Sequence, residues 1–197
     1  ATTRRNVDWY TFAWSGPEAI PWGGQVQDGG AVLGFAYHDL MARLHTAGPD
    51  DALRALDRTL DWFADIRAEG GYRAYYAKPG RGTLQGGGPA GGLGMDQEFF
   101  ESVLVPQVML YGFLGLEPTA DGFRLNPRLP SGWPSLRIDH IAYRGTLLDI
   151  TAERKQIRIV CTGGPRQKLR ASLPAGWTGI GGEAEIGDGV VLTARRP

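Results

Sequence analysis

Apolar residues recur every three or four positions in the first half of the chain, whereas they alternate with polar residues in the last third. The first spacing places apolar side chains on one face of a helix, and the second places them on one face of a strand. The pattern therefore predicts an α+β chain in which helices come first and strands follow.

The first two predicted helices are joined by a short turn. The first spans 31–46 and ends at Gly48-Pro49, after which Asp50 or Asp51 is a natural N-cap for the second. The second helix ends at Gly70-Gly71, and its apolar face consists of Leu53, Leu56, Leu60 and Phe63. Two antiparallel helices with such a short connection form an αα-hairpin.

A third helix is predicted from near Asp96 towards Gly115, and Pro106 should kink or divide it because proline cannot donate a backbone hydrogen bond. A long glycine-rich loop, residues 70–94, precedes this helix. Loops of this length inside a compact domain are usually functional or disordered.

Residues 116–145, called the junction below, separate the helices from the strands. They contain Pro118, Pro127, Pro130 and Pro134, which cannot lie inside a helix or a central strand, so the junction is predicted to be an ordered, turn-rich segment. The alternating segments that overlap or follow it predict an antiparallel sandwich or sheet; they are Leu136–Tyr143, Leu147–Thr151, Ile157–Cys161, Leu169–Leu173 and Val190–Thr193.

Charge and composition narrow the possible partners. The formal net charge is zero and the isoelectric point is near 7.1, so no general attraction to nucleic acid or to an anionic membrane is expected. No apolar run approaches the roughly 20 residues that span a bilayer. No signal-peptide pattern stands at the start, which leaves the compartment open and favours the cytoplasm over the exterior.

The sequence predicts no metal site and no cofactor. Its single cysteine, Cys161, excludes an internal disulfide and a multi-cysteine metal site, and it alternates like a buried strand residue. His38, His45 and His140 show no metal-ligand spacing, so each is interpreted as a surface or packed histidine.

The junction carries a resemblance to a known group of enzymes. The run Asp-Gly-Phe-Arg-Leu-Asn-Pro-Arg-Leu-Pro-Ser-Gly-Trp at 121–133 is followed by a strand that ends in Tyr143-Arg144-Gly145. This resembles the passage from helical barrel to C-terminal β-domain in (α/α)6 six-hairpin glycosidases and disaccharide phosphorylases. Maltose, kojibiose and cellobiose phosphorylases carry it, and α-L-rhamnosidases and α-L-fucosidases carry looser versions.

The resemblance implies a domain organisation. Residues 1–117 would be the C-terminal part of the (α/α)6 catalytic barrel, and residues 118–197 would be the junction and an antiparallel β-sandwich domain. The few helices of this chain cannot close such a barrel, so the rest would lie on a preceding segment or on a separate partner chain. The β-domain is expected to be structural, although Glu183 and Glu185 lie in a glycine-rich turn.

A first candidate substrate site precedes the first helix. The resemblance places a loop of this type at the barrel mouth, facing the sugar, with Trp22, Gln25, Gln27 and Asp28 as contacts. Amide and carboxylate groups hydrogen-bond to hydroxyls, and an indole offers an apolar platform for a pyranose ring. The simpler alternative is a capped helix start in which Asp28 accepts hydrogen bonds from free backbone amides.

A second candidate site stands at the head of the third helix. Glu98 and Glu101 are three residues apart and can share one face, with Gln97 and the loop residue Tyr72 as predicted substrate contacts. Glu98 is the first candidate for the general base and Glu101 the second, followed by Asp28 and then Glu18. The simpler alternative is that these acids stabilise the helix dipole.

The expected function is cleavage of a glycosidic bond by an inverting hydrolase, of which this chain supplies at most the base. The resemblance places the general acid upstream of these residues. An inverting phosphorylase is the alternative within the same group of enzymes. The acids Asp96, Glu98 and Glu101 would repel phosphate, and the chain lacks the histidine or serine usual there in the phosphorylases, which favours water. A non-catalytic carbohydrate-binding or assembly chain is the alternative from another class.

Overall fold

The computed structural model describes residues 36–71, 74, 78 and 100–197, with the backbone alone for residues 100–103. These residues belong to two units. The helical unit includes the described residues of 1–42 and 54–105, and the C-terminal unit consists of Arg43–Leu53 and Pro106–Pro197. Within the described residues, no helix is long and apolar enough to cross a membrane.

Three α-helices and one π-helical segment are described. They are α1 at Ala36–Thr46, α2 at Pro49–Ala68, α3 at Phe100–Gln107 and the π-helical segment at Val108–Phe113. Gly48 closes α1 with a positive φ of 93°, and its amide donates to the Arg43 carbonyl over 2.9 Å.

The predicted N-cap of α2 is wrong by two or three residues. Helix α2 begins at Pro49, so Asp50 and Asp51 lie inside its first turn. Proline suits this position because its fixed φ is already helical and its missing N–H would have no partner there.

The third helix changes from α-helical to π-helical close to Pro106, in agreement with the predicted kink or division at this proline. Pro106 lies inside α3, and the π-helical segment begins two residues later. There the Leu114 amide donates to the carbonyl of Met109, five residues back, over 2.9 Å.

The predicted apolar face of α2 is only partly buried. Leu56 is 3% exposed, as expected, but Leu60 is 39% exposed. Residues four apart on an α-helix are offset by about 40°. Since Ala55 and Ile66 are also buried, the buried stripe is centred to one side of Leu60, which therefore lies at its margin.

Within the described part of the chain, eight strands form two four-stranded sheets. The first sheet has the order β1-β2-β6-β7, from Leu116–Pro118, Gly122–Leu125, Gln167–Ser172 and Gly182–Ile186. The second has the order β3-β4-β5-β8, from Ser135–Tyr143, Thr146–Glu153, Gln156–Thr162 and Val191–Arg195.

The prediction of antiparallel sheets holds for every pair of named strands except one. Strand β2 pairs with β6 in parallel, from Gly122 opposite Arg170 to Arg124 opposite Ser172. A parallel pair requires a crossover, and here the crossover is the hairpins of the second sheet. The described residues do not display the barrel hairpins that the resemblance implies.

The core of the C-terminal unit lies between the two sheets. Strand β4 alternates buried and more exposed residues, and Leu148, Ile150 and Ala152 are fully buried. Tyr143 of the second sheet joins the first, because its hydroxyl donates to the Gly122 carbonyl and its ring meets Phe123 edge-on, with centroids 5.8 Å apart. The strands therefore form a β-sandwich.

Candidate functional site

Most of the site residues predicted from the sequence lie outside the described residues. Those outside the described residues are Trp22, Gln25, Gln27, Asp28, Tyr72, Gln97 and Glu98, together with the lower-ranked Glu18. Glu101 lies on α3, whose backbone is described there without its side chain. Their roles therefore stay predictions.

Residues 119–122, near the start of the junction, are held to both sheets. The Arg144 Nη2 donates to the carbonyls of Thr119 and Ala120, over 3.1 and 2.5 Å, in the turn between β1 and β2. Gly122 is required because a Cβ there would lie 1.7 Å from the Arg170 carbonyl oxygen of β6. These motif residues have structural partners rather than catalytic geometry.

Arg144 and Gly145 form the two-residue turn of the β3–β4 hairpin. Both have positive φ, 49° and 79°, which fits a type I′ turn and explains why glycine follows arginine. The Arg144 carbonyl accepts a hydrogen bond of 2.9 Å from the Gln167 Nε2 of β6. The Tyr-Arg-Gly end of the motif is thus tied to β6 as well as to the turn between β1 and β2.

The second half of the motif binds the connection between α1 and α2. The Arg128 amide donates to the Phe113 carbonyl over 2.8 Å, and its Nη1 donates to the Leu44 carbonyl over 2.9 Å. Ser131 donates from its amide and its hydroxyl to one Asp50 oxygen, over 2.6 and 2.9 Å. Asp50, predicted as a possible helix cap, therefore also fixes the junction.

A groove of about 210 Å³ opens beside the junction in the C-terminal unit. Its charged lining residues are Arg128, Arg154, Arg196 and Glu153, and its remaining walls are Trp177, Pro49, Pro127 and Leu129. These residues come from distant parts of the chain, which is why the sequence does not reveal the groove. We call it the arginine groove.

Backbone carbonyls and an aromatic ring hold the groove arginines in place. The Arg154 Nη2 donates to the carbonyls of Pro130 and Ser131, over 2.9 and 2.8 Å. The Nε of Arg196 donates to the Arg154 carbonyl, and its guanidinium carbon lies 5.0 Å from the centre of the Trp177 ring. Each guanidinium therefore has a fixed position before any ligand arrives.

The lining of the arginine groove is suited to binding a charged group, but it has no pair of carboxyl groups for catalysis. Among the described residues, none of its three arginines forms an ion pair, and Glu153 is the one carboxylate in its lining. Acid–base cleavage of a glycoside needs two carboxyl groups on opposite sides of the bond. The groove therefore suits recognition of a charged group.

The carboxylates of β7 are held in ion pairs across the strand. Glu183 accepts from Lys168 over 2.7 Å, and Glu185 accepts from Arg166 over 3.2 Å. The hydrogen bond and the charge of Lys168 lower the pKa of Glu183, and the hydrogen bond and the charge of Glu183 in turn raise the pKa of Lys168. A carboxylate kept ionised in this way is poorly suited to donate a proton.

A metal-binding group or a reactive cysteine would be another source of chemistry in the described residues. They contain no group of three or more histidine, cysteine, aspartate or glutamate side chains placed to hold a metal ion. Cys161 is buried on β5, and desolvation raises the pKa of its thiol, which keeps it protonated and unreactive at neutral pH.

Comparison with known proteins supports the resemblance at the junction. Residues 116–171 match the family model of the glycosyl hydrolase family 65, C-terminal domain. This stretch runs from β1 to β6 and contains both halves of the junction motif. It resembles a part of the disaccharide phosphorylase group of enzymes, as the motif indicates.

Among the solved structures that match, one is similar over part of the chain. It is described as "Putative kojibiose phosphorylase from human microbiome", with 18% sequence identity and a TM-score of 0.37. The similarity covers 51% of this chain and 12% of that one, so the chain corresponds to a small part of that protein. No curated protein sequence matches the chain.

Proposed function

We propose that the chain forms the C-terminal part of a carbohydrate-active enzyme that cleaves a glycosidic bond. The observation that carries the proposal is the match of residues 116–171 to the C-terminal domain of glycosyl hydrolase family 65. The folded junction supports it, because the motif residues Gly122, Tyr143 and Arg144 each have a defined structural partner.

The catalytic carboxylate is assigned to the head of the third helix. Glu98 is the first candidate for the general base and Glu101 the second, while the general acid lies on the rest of the barrel. Trp22, Gln25, Gln27, Asp28, Tyr72 and Gln97 are the proposed sugar contacts. The ion pairs of Glu183 and Glu185 support a structural role for the C-terminal unit.

The attacking nucleophile is either water or phosphate, and each has one supporting observation. The acidic run Asp96, Glu98 and Glu101 favours water, because these charges would repel a phosphate ion. The similarity to the disaccharide phosphorylase group favours phosphate. A carbohydrate-binding chain without catalysis is the third candidate, supported by the aromatic residues near Trp22.

One assay separates these functions. The enzyme that contains this chain is incubated with a panel of disaccharides, with and without inorganic phosphate, and its products are identified. Free sugars formed at the same rate in both conditions indicate hydrolysis, and a sugar 1-phosphate formed only with phosphate indicates phosphorolysis. Absence of cleavage together with saturable sugar binding would contradict the enzymatic proposal.

A variant series tests the proposed base. In a hydrolase, Glu98→Gln should lower kcat by about 10²–10⁴ while it changes substrate binding little, because the amide cannot accept the proton. Glu101→Gln and Asp28→Asn are the matched comparisons. If all three variants keep near-normal turnover, the base lies elsewhere in the enzyme.

A further inference from the structure

We propose that the arginine groove is a binding site for a small hydroxylated anion, such as a sugar phosphate or a sugar acid. The proposal concerns the C-terminal unit alone and does not depend on which glycosidic bond the enzyme cleaves. Its basis is a set of fixed guanidinium groups around one cavity, with an aromatic wall and one carboxylate.

The first argument is the preorganisation of the arginines. Arg154 uses its Nη2 for two backbone carbonyls, which leaves its Nε and Nη1 available, and Arg196 uses its Nε, which leaves its two terminal nitrogens. Arg128 uses its Nη1 for the Leu44 carbonyl and the His45 ring. A guanidinium that is already held in position loses less conformational entropy when it binds a ligand.

The second argument is the unbalanced charge. Three arginines face one glutamate in the lining, whereas other cations of the same unit lie beside carboxylates, as in Lys168–Glu183 and Arg124–Glu117. Guanidinium groups recognise phosphate and carboxylate through paired hydrogen bonds. The groove is therefore electrostatically suited to one anionic group.

The third argument concerns the body of the ligand. Trp177, Pro49 and Pro127 form apolar walls, and the exposed Glu153 can accept hydrogen bonds from hydroxyl groups. The volume of about 210 Å³ is below the roughly 300–1,000 Å³ of pockets that hold drug-sized ligands. A monosaccharide with one phosphate or carboxylate matches both the size and the chemistry.

Titration calorimetry of the full chain at low ionic strength tests the proposal, with glucose 6-phosphate, glucuronate, inorganic phosphate and glucose as probes. We expect saturable binding of at least one of the two sugar anions, weaker binding of inorganic phosphate and none of neutral glucose. The tighter of the two sugar anions identifies the anionic group. Absence of saturable binding by both would overturn the proposal.

Two variants separate a specific site from general surface charge. Arg196→Gln should weaken binding about tenfold because it removes a charge-assisted contact. Arg158→Gln, which changes an exposed arginine of β5 outside the groove, should leave the affinity unchanged. If both variants weakened binding of the sugar anion equally, the binding would be a nonspecific effect of surface charge and the proposal would be overturned.

Glu153→Gln gives the sharpest result because its effect has the opposite sign. Removal of this negative charge should increase the affinity for inorganic phosphate several-fold. A loss of folding could only lower the affinity, so it cannot produce this result. An unchanged or weaker affinity for phosphate in Glu153→Gln would contradict the proposed position of the anion.

Discussion

The junction and the β6–β7 hairpin both display arginine or lysine, but they use these charges differently. In the junction, Arg144 donates to two backbone carbonyls that lie 24 and 25 residues earlier in the chain. In the hairpin, Lys168 forms a diagonal ion pair with Glu183 across two neighbouring strands, with side-chain exposures of 73% and 64%.

The arginine of the junction fixes the path of the main chain, whereas the ion pair of the hairpin lies on the surface of a sheet that its backbone hydrogen bonds already hold together. A carbonyl that accepts from an arginine fixes where the main chain passes, and its partner cannot be replaced by solvent without loosening that segment. An exposed ion pair is screened by water and salt and contributes little. Substitutions in the two regions should therefore have very different effects.

The largest expected effect comes from Gly122→Ala in the junction. The new methyl group would lie 1.7 Å from the Arg170 carbonyl oxygen, so the parallel β2–β6 pair must separate. We expect a loss of about 3 kcal/mol or more in the free energy of unfolding of the C-terminal unit, measured by urea titration. Gly132→Ala is the matched control, because a Cβ there meets no atom within 4 Å. Equal stability of the two variants would refute the assigned role of Gly122.

An intermediate effect is expected for Arg154→Met, which keeps most of the side-chain volume and removes the charge. It loses the hydrogen bonds to the carbonyls of Pro130 and Ser131. A partly exposed arrangement of this kind should contribute about 1–2 kcal/mol to the free energy of unfolding. Arg158→Met on β5 is the control and should stay within about 0.5 kcal/mol of the parent protein. A loss in the control as large as in Arg154→Met would show that the carbonyl contacts of Arg154 add no specific stability.

The smallest effects should come from Glu183→Gln and Glu185→Gln in the hairpin. Both side chains are ion-paired at the surface, so turnover should stay within about threefold, whereas loss of a general acid or base costs about 10²–10⁴. A hundredfold loss in either variant would place catalysis in the C-terminal unit and reverse the comparison.

The ionisation of Glu183 tests whether the surface ion pair with Lys168 forms in solution. Lys168 lowers the pKa of this carboxyl below its ordinary value of 4.5, so its stabilising contribution is present above pH 4.5 and is lost as the pH falls below it. An NMR titration of the Glu183 carboxyl should give a midpoint below that of a free glutamate. A midpoint at or above the ordinary value would show that the pair does not form in solution.

The sequence predicts the second sheet better than the first, because alternating segments mark all four strands of the second sheet but only β6 of the first. The predicted segments lie inside β3, β4 and β5, which have seven to nine residues. A register shift between Ile138 and Ile141 interrupts the alternation of β3. In the first sheet, β1 has three residues and one of them is buried, and β7 carries two glutamates and is buried only at Ile186. Neither gives a periodic signal, and β2 was hidden among the prolines of the junction.

The candidate site likewise has a part that the sequence predicts and a part that only the fold brings together. The junction motif was evident from the sequence, but the partners of its residues were not, since the carbonyls bound by Arg128 and Arg154 carry no side-chain signal. The arginine groove was missed because Arg154, Trp177 and Arg196 meet only through sheet topology. A lone arginine after a strand has no sequence feature that distinguishes it from a solvated one.

The parallel pairing of β2 with β6 also has a consequence for the order in which the chain folds. Residues 122–124 find their strand partners only at residues 170–172, after three further strands have been made. Closing so long a loop is slow compared with forming a hairpin. During synthesis, the β3–β4 and β4–β5 hairpins can form as they emerge, whereas β2 has to wait with one edge unpaired. The passage from helices to sandwich is thus completed only after residues 170–172 have left the ribosome.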